Sequence, residues 1–247
     1  MLSWHVAYEL NGRIVHIWPL WIEGPDAVVE RFRSLLAPDE TDRAARFKFE
    51  HLRHSFILAR GALRILLGRY VNTSPADLIF TYGSNGKPAL APPARVQFNA
   101  SHSGGLALFA FAMDCEIGID VEAVRAMPDM ENIAKRFFCD EEAAELMSLP
   151  AEERDRGFYL CWTRKEAYIK ATGEGLSAPL DAFRVTLRPG DPARVVHLAG
   201  DPTAARAWTL HDLALDKRYA AALAYRDAAR PIETFSPANP KQLLDLL

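Results

Sequence analysis

The chain has 247 residues, 49% hydrophobic and 25% charged, which is enough apolar material for one large domain or two lobes. A net charge of −3 and a pI of about 6.2 lack the basic footprint of nucleic-acid binders. Cys115, Cys139 and Cys161 are odd in number and follow no Cys-x-x-Cys spacing, so neither a disulfide framework nor a zinc site is expected, and a reducing cytoplasm fits best.

In chain order, short strands are predicted at Val6 to Tyr8 and Val15 to Trp18. A helical pattern rich in arginine runs from Asp39 through Tyr70, with apolar spacing at Phe47, Leu58, Leu63, Leu66 and Leu67. Asp77 to Pro93 reads as loop, punctuated by Gly83, Gly86, Pro88, Pro92 and Pro93. Strands at Val96 to Phe98, Leu106 to Met113 and Glu116 to Val121 are expected to form an antiparallel meander. Helices follow at Met130 to Phe138, Asp140 to Ser148 and Phe158 to Thr172, the last ended by Gly173 and Gly175. Strand composition returns at Phe183 to Leu187, Arg194 to Leu198, Trp208 to Leu213 and Tyr219 to Tyr225, and a Pro-rich tail from Arg230 ends in a short helical segment.

The order of elements in residues 1–114 resembles that in residues 115–247. The expectation is an α+β protein of two similar, pseudo-twofold lobes with an extended C-terminal tail. Each lobe would be a small, mostly antiparallel sheet with a long helix, with the ligand site between them. Such a single chain needs no partner copy, so a monomer is expected. The longest apolar run, Leu106 to Met113, is too short to span a bilayer, and Met1 to His5 lack the flank of a targeting signal, so no membrane role is expected.

Two constellations carry chemistry. In Gly118-Ile119-Asp120-Val121-Glu122, alternate side chains of an extended backbone share a face, so both carboxylates point the same way and call for a cation, with Gly118 leaving room for a metal and a bulky ligand. An acidic outer face of an edge strand is the plainer alternative. In the helix from Phe158, Trp162, Glu166 and Lys170 are successive neighbours four residues apart. Alone, Glu166 with Lys170 reads as a surface ion pair. A third carboxylate from this helix would complete an all-oxygen site suited to magnesium and hence to a phosphate-bearing substrate. Lys87, His102, Lys170 and the arginines Arg43, Arg46, Arg53 and Arg60 are the available cations.

Together, Ser101-His102, Gly118-Ile119-Asp120-Val121-Glu122 and Trp162-Thr163-Arg164-Lys165-Glu166-Ala167 ending in Lys170 resemble the 4'-phosphopantetheinyl transferase superfamily. The likeness is to its two-lobed type, which activates surfactin synthetase and related peptide synthetases. Arg136-Phe137-Phe138 and the stretch from Gly173 to Asp181 also look like family segments, so the similarity covers roughly residues 39–187.

The resemblance implies magnesium held by Asp120, Glu122 and Glu166 against the diphosphate of coenzyme A. Lys170 and His102 would contact its phosphates, Gly86 and Lys87 would lie near the nucleotide, and Ser101, Arg43 and Arg46 near the 3'-phosphate. Glu40 stands where some relatives carry lysine.

The implied reaction moves phosphopantetheine to a serine of an acyl or peptidyl carrier protein and releases adenosine 3',5'-bisphosphate. Glu166 is the expected base, with Asp120 and Lys170 as the other catalytic groups and Glu142 as a second choice of base. Arg125, Lys135 and Arg136 are the candidates for a carrier-facing basic patch. The competing readings are a magnesium-dependent phosphodiesterase using the same acids and a non-catalytic coenzyme A binding module.

Overall fold

Strand β5 (Leu106–Met113) has seven of its eight residues buried, which explains why its sequence is a continuous apolar run rather than an alternating one. The computed structural model describes residues 10–175, 178–198 and 203–247, so the strand expected at Val6 to Tyr8 lies outside the described residues. The chain divides into two compact units. One holds the described residues up to Thr81 together with Ala89–Asp114 and Ile232–Leu247, and the other holds Tyr82–Pro88 and Cys115–Pro231. The tail from Ile232, placed with the second half by sequence, belongs to the first unit because β11 (Ile232–Thr234) pairs in parallel with β1 (Val15–Trp21). The fold is mixed α+β.

In the first unit the sheet order is β11-β1-β5-β4, with β1 and β4 (Val96–Ser103) antiparallel to β5. Helices α1 (Asp26–Arg33), α2 (Pro38–Ala45) and α3 (Glu50–Val71) complete it with α7 (Pro240–Leu244). Phe98, Phe109 and Phe111 of the sheet and Leu58, Ile65 and Leu66 of α3 share one core. Asn72, in the left-handed region at φ 51°, ends α3.

The single helix expected from Asp39 to Tyr70 is in fact two. Glu40, 2% exposed, receives the Ala37 N–H at 2.9 Å as a capping-box residue, and it pairs with Arg64 at 2.6 Å and with Arg60. Those pairs tie α2 to α3, so a continuous helix is impossible.

In the second unit the sheet is β6 (Ile117–Ala123), β10 (Tyr219–Tyr225) and β9 (Thr209–Asp212), all antiparallel. β7 (Phe183–Val185) and β8 (Val195–Leu198) form a separate pair, and the helices are α4 (Met130–Phe137), α5 (Asp140–Ser148) and α6 (Ala151–Thr172). Short strands β2 (Phe80–Tyr82) and β3 (Pro88–Leu90) lie in the stretch read as loop. The expected meander fails at its third strand. Asp114, at φ 52°, turns the chain out of the first sheet, and β6 takes β10 as its neighbour along its whole length.

Helix α6 is the axis of the second unit, and its two fully buried cations are both matched. Arg164 reaches Asp212 at 2.9 Å and the Thr186 carbonyl at 2.5 Å. Lys165 and Glu142, neither with any exposure, meet at 2.7 Å. Lys165 also donates to the carbonyls of Leu180 (2.7 Å) and Phe183 (2.5 Å), while Glu142 accepts from Cys139 N (3.0 Å) and Val185 N (2.7 Å). One ion pair therefore joins α5, α6 and β7.

Breaking a buried pair by deleting one partner strands the other charge, at a cost of roughly 3–5 kcal/mol. Lys165→Met is therefore expected to lose that much stability in urea unfolding. A loss below about 1 kcal/mol would mean the pair is not what joins these elements.

Candidate active site

Gly118 decides how the site is assembled. A Cβ at this position would lie 2.1 Å from the Ala167 carbonyl oxygen and 2.3 Å from Ala171 N, so only glycine lets the backbone of α6 come this close to β6. Opposite it on β10, the partners of Gly118, Asp120 and Glu122 are Ala224, Ala222 and Ala220. The helix thus lies on a floor of the smallest side chains. The room once ascribed to a metal and its ligand is filled by helix backbone, and what Gly118 contributes is proximity.

That proximity brings residues 50 positions apart together. Lys170 on α6 places Nζ 2.6 Å from Asp120 Oδ1 and 3.3 Å from the Ile119 carbonyl oxygen. Asp120 is 3% exposed and Glu166, one helical turn before Lys170, is 8% exposed. Glu166 Oε1 is buried with no hydrogen-bond partner among the described residues.

Burial first, then the charge of Asp120, pushes the Glu166 carboxyl up to about 7; Lys170 pulls it back and Glu122 adds to the rise. Glu122 is half-buried on the same face of β6. As they stand, no three His, Cys, Asp or Glu side chains among the described residues are gathered tightly enough to hold a metal ion. The donor set is nevertheless carboxylate oxygen throughout, and the orphaned Glu166 oxygen is the atom a hard cation would satisfy.

The loop carrying Gly86 and Lys87 belongs to this same unit. Lys87 Nζ donates to the Ala171 carbonyl at 3.1 Å and Asn85 Nδ2 to the Gly173 carbonyl at 3.0 Å, so two side chains cap the end of α6. Desolvation there lowers the Lys87 amine, partly offset by Glu116. Gly86, at φ 79°, makes the turn that lets the loop reach the helix.

Ser101 and His102 lie on β4, and Arg43 and Arg46 at the exposed end of α2, all in the other unit. Arg43 stacks over Phe56 at 5.4 Å.

Glu142, the second choice of base, is excluded by its complete burial against Lys165. Trp162 takes part in the packing of α6. It stacks on Phe158 at 6.0 Å and meets Phe137 edge-on at 5.8 Å, packing α6 against α4. Sequence reasoning missed the pairing of Arg164 with Asp212 and the tie from Lys165 to Glu142. The latter had one available signal, an acid three residues into a helix, but the cap itself is a cysteine rather than Ser, Thr, Asp or Asn.

The profile of the 4'-phosphopantetheinyl transferase superfamily (ACPS) matches residues 116–224, all within the second unit. The chain is 39% identical over 213 residues to 4'-phosphopantetheinyl transferase HetI of Nostoc sp., covering 85% of this chain and 86% of that protein. The chain belongs to the 4'-phosphopantetheinyl transferase superfamily. It is also 35% identical to 4'-phosphopantetheinyl transferase Sfp of Bacillus subtilis, over 64% of this chain and 69% of that one. A further match, at 26% identity, is the L-aminoadipate-semialdehyde dehydrogenase-phosphopantetheinyl transferase of Rattus norvegicus, covering 83% and 72%. No helix among the described residues of this transferase is long and apolar enough to cross a membrane.

The raised Glu166 carboxyl has a consequence for stability. The fold disfavours its ionised form, so the penalty is absent below the ordinary value of 4.5, grows between 4.5 and about 7, and is complete above that. In chelator at pH 8, Glu166→Gln is expected to be more stable than wild type by roughly 1–2 kcal/mol, solvent screening part of the full shift. The gap should close as pH falls to 5. A gap independent of pH in paired denaturation curves would contradict the assignment.

Proposed function

We propose that this transferase moves the 4'-phosphopantetheine group of coenzyme A to a serine of an acyl or peptidyl carrier protein, with Glu166, Asp120 and Lys170 as its catalytic centre. The observation that carries this reading is the buried Glu166 carboxyl, about 7, set beside Asp120 and an ammonium. A base must be able to take up a proton, and burial beside Asp120 raises the proton affinity of Glu166 above that of an ordinary carboxylate.

The serine hydroxyl attacks the β-phosphorus of coenzyme A. Its oxygen forms the new P–O bond, the bond to the bridging oxygen breaks, and adenosine 3',5'-bisphosphate leaves. Glu166 accepts the serine proton. Lys170 places positive charge where the diphosphate gains negative charge.

Asp120, Glu122 and Glu166 are the residues that would hold magnesium. When bound, the ion supplies divalent charge to the diphosphate oxygens and orients the displacement. Ser101, His102, Arg43, Arg46, Gly86 and Lys87 are assigned to the nucleotide and its phosphates.

Exposed Arg125 and Arg136 are assigned to the carrier, the latter extended along Phe137 at 5.1 Å. Lys135 contributes less to docking, being engaged with Glu131 at 2.7 Å. We assign the enzyme to the cytoplasm as a monomer.

The test is mass spectrometry of a panel of apo carrier proteins incubated with enzyme, coenzyme A and magnesium. A carrier serine should gain one phosphopantetheine. Glu166→Gln and Asp120→Ala should each slow that gain by roughly 100-fold or more with the fold intact by circular dichroism. Release of adenosine bisphosphate without any carrier would point to a phosphodiesterase instead. Arg136→Glu should raise the carrier KM several-fold while leaving that for coenzyme A unchanged, and an equal rise in both would remove Arg136 from the docking surface.

A further inference from the structure

The Lys170 ammonium lies among oxygens, 2.6 Å from Asp120 Oδ1 and 3.3 Å from the Ile119 carbonyl. These are the kind of donors a hard divalent cation takes. The lysine reaches them from the last turn of α6, one turn beyond Glu166, with its side chain 29% exposed against 5% for Asp120. It is therefore a tethered monovalent counter-ion for the acidic face of β6, held on a flexible four-carbon stem with an open route back to solvent.

We infer that Lys170 is a resident placeholder for the metal: it neutralises Asp120 until a divalent ion takes that carboxylate, and is then released as a free ammonium for the diphosphate of the substrate. The inference rests on the magnesium reading above and adds an order of events to it. A divalent ion seated on the Asp120 carboxylate lies within a few ångströms of the ammonium on Oδ1, so a metal binding alone meets the repulsion of the lysine charge in full and displaces it. A metal arriving with coenzyme A gives the evicted ammonium a new anionic partner, which offsets the lost pair. Metal and coenzyme A then favour one another through Lys170, and the same coupling must appear whichever binds first.

The charge on α6 also explains how the acids are held together beforehand. Asp120 and Glu166 are two carboxylates in one buried site, and the ammonium held 2.6 Å from Asp120 reduces their repulsion without any added ion. The resting site is thus stable and closed to loosely bound cations.

The experiment is a titration of the full chain with Mn2+ alone, read by electron paramagnetic resonance, and with Mg2+ by calorimetry, both without coenzyme A. Lys170→Met removes the competing charge and keeps much of the stem, and should bind Mn2+ about tenfold more tightly than wild type. Lys170→Gln serves as a second neutral variant should the first fail to fold by thermal melting. Lys170→Arg keeps the charge and should stay within about twofold of wild type. Equal or weaker binding by the neutral variants overturns the placeholder role while leaving the metal site standing. No bound Mn2+ in any of the proteins, wild type included, overturns the metal site itself and the placeholder with it.

Discussion

Everything at this site depends on how closely one helix can approach one sheet. A backbone-to-backbone contact at Gly118, on a floor completed by Ala220, Ala222 and Ala224, sets α6 directly against β6. Any side chain at position 118 would clash with the carbonyl of Ala167 and the amide of Ala171. Because Lys170 and Glu166 reach toward the strand's acids from that helix, the separation of the two elements fixes whether these charged groups meet at all. Small residues here are a requirement of distance rather than of flexibility.

The same helix carries four charged residues within seven positions, and they divide cleanly by what surrounds them. Arg164 and Lys165 are fully enclosed and saturated with carbonyl and carboxylate partners, so they hold β7, β9 and α5 in place. Glu166 and Lys170 face the strand, the first with an oxygen that no donor satisfies and the second partly open to solvent. Within one motif, adjacent residues thus do opposite work. Arg164 and Lys165 are satisfied by their partners, whereas Glu166 keeps one buried oxygen that is not.

Much of this was readable from residue order alone. The alternation around Asp120 and Glu122 gave their shared face, the four-residue spacing gave Glu166 and Lys170, and Gly173 gave the end of α6. What escaped the sequence was non-local. The partner of β6 is β10, about a hundred residues on, and strand composition says nothing about which strand a neighbour will choose. The structural roles of Glu40 and Glu142 do not show in the sequence because their arginine and lysine partners sit 20 or more residues away. Gly118 was assigned the right importance for the wrong reason, since the space it leaves is claimed by a helix that only the folded chain brings there.

The segment Tyr82–Pro88 belongs to one compact unit while the residues on either side of it belong to the other. Through Asn85 and Lys87 it supplies the donors that close the last turn of α6. A fragment cut at the junction after Asp114 would keep every acid of the site yet leave the carbonyls of Ala171 and Gly173 open to water. The two units are consequently interlaced along the chain, and neither half could be separated by a single cleavage without fraying the end of α6.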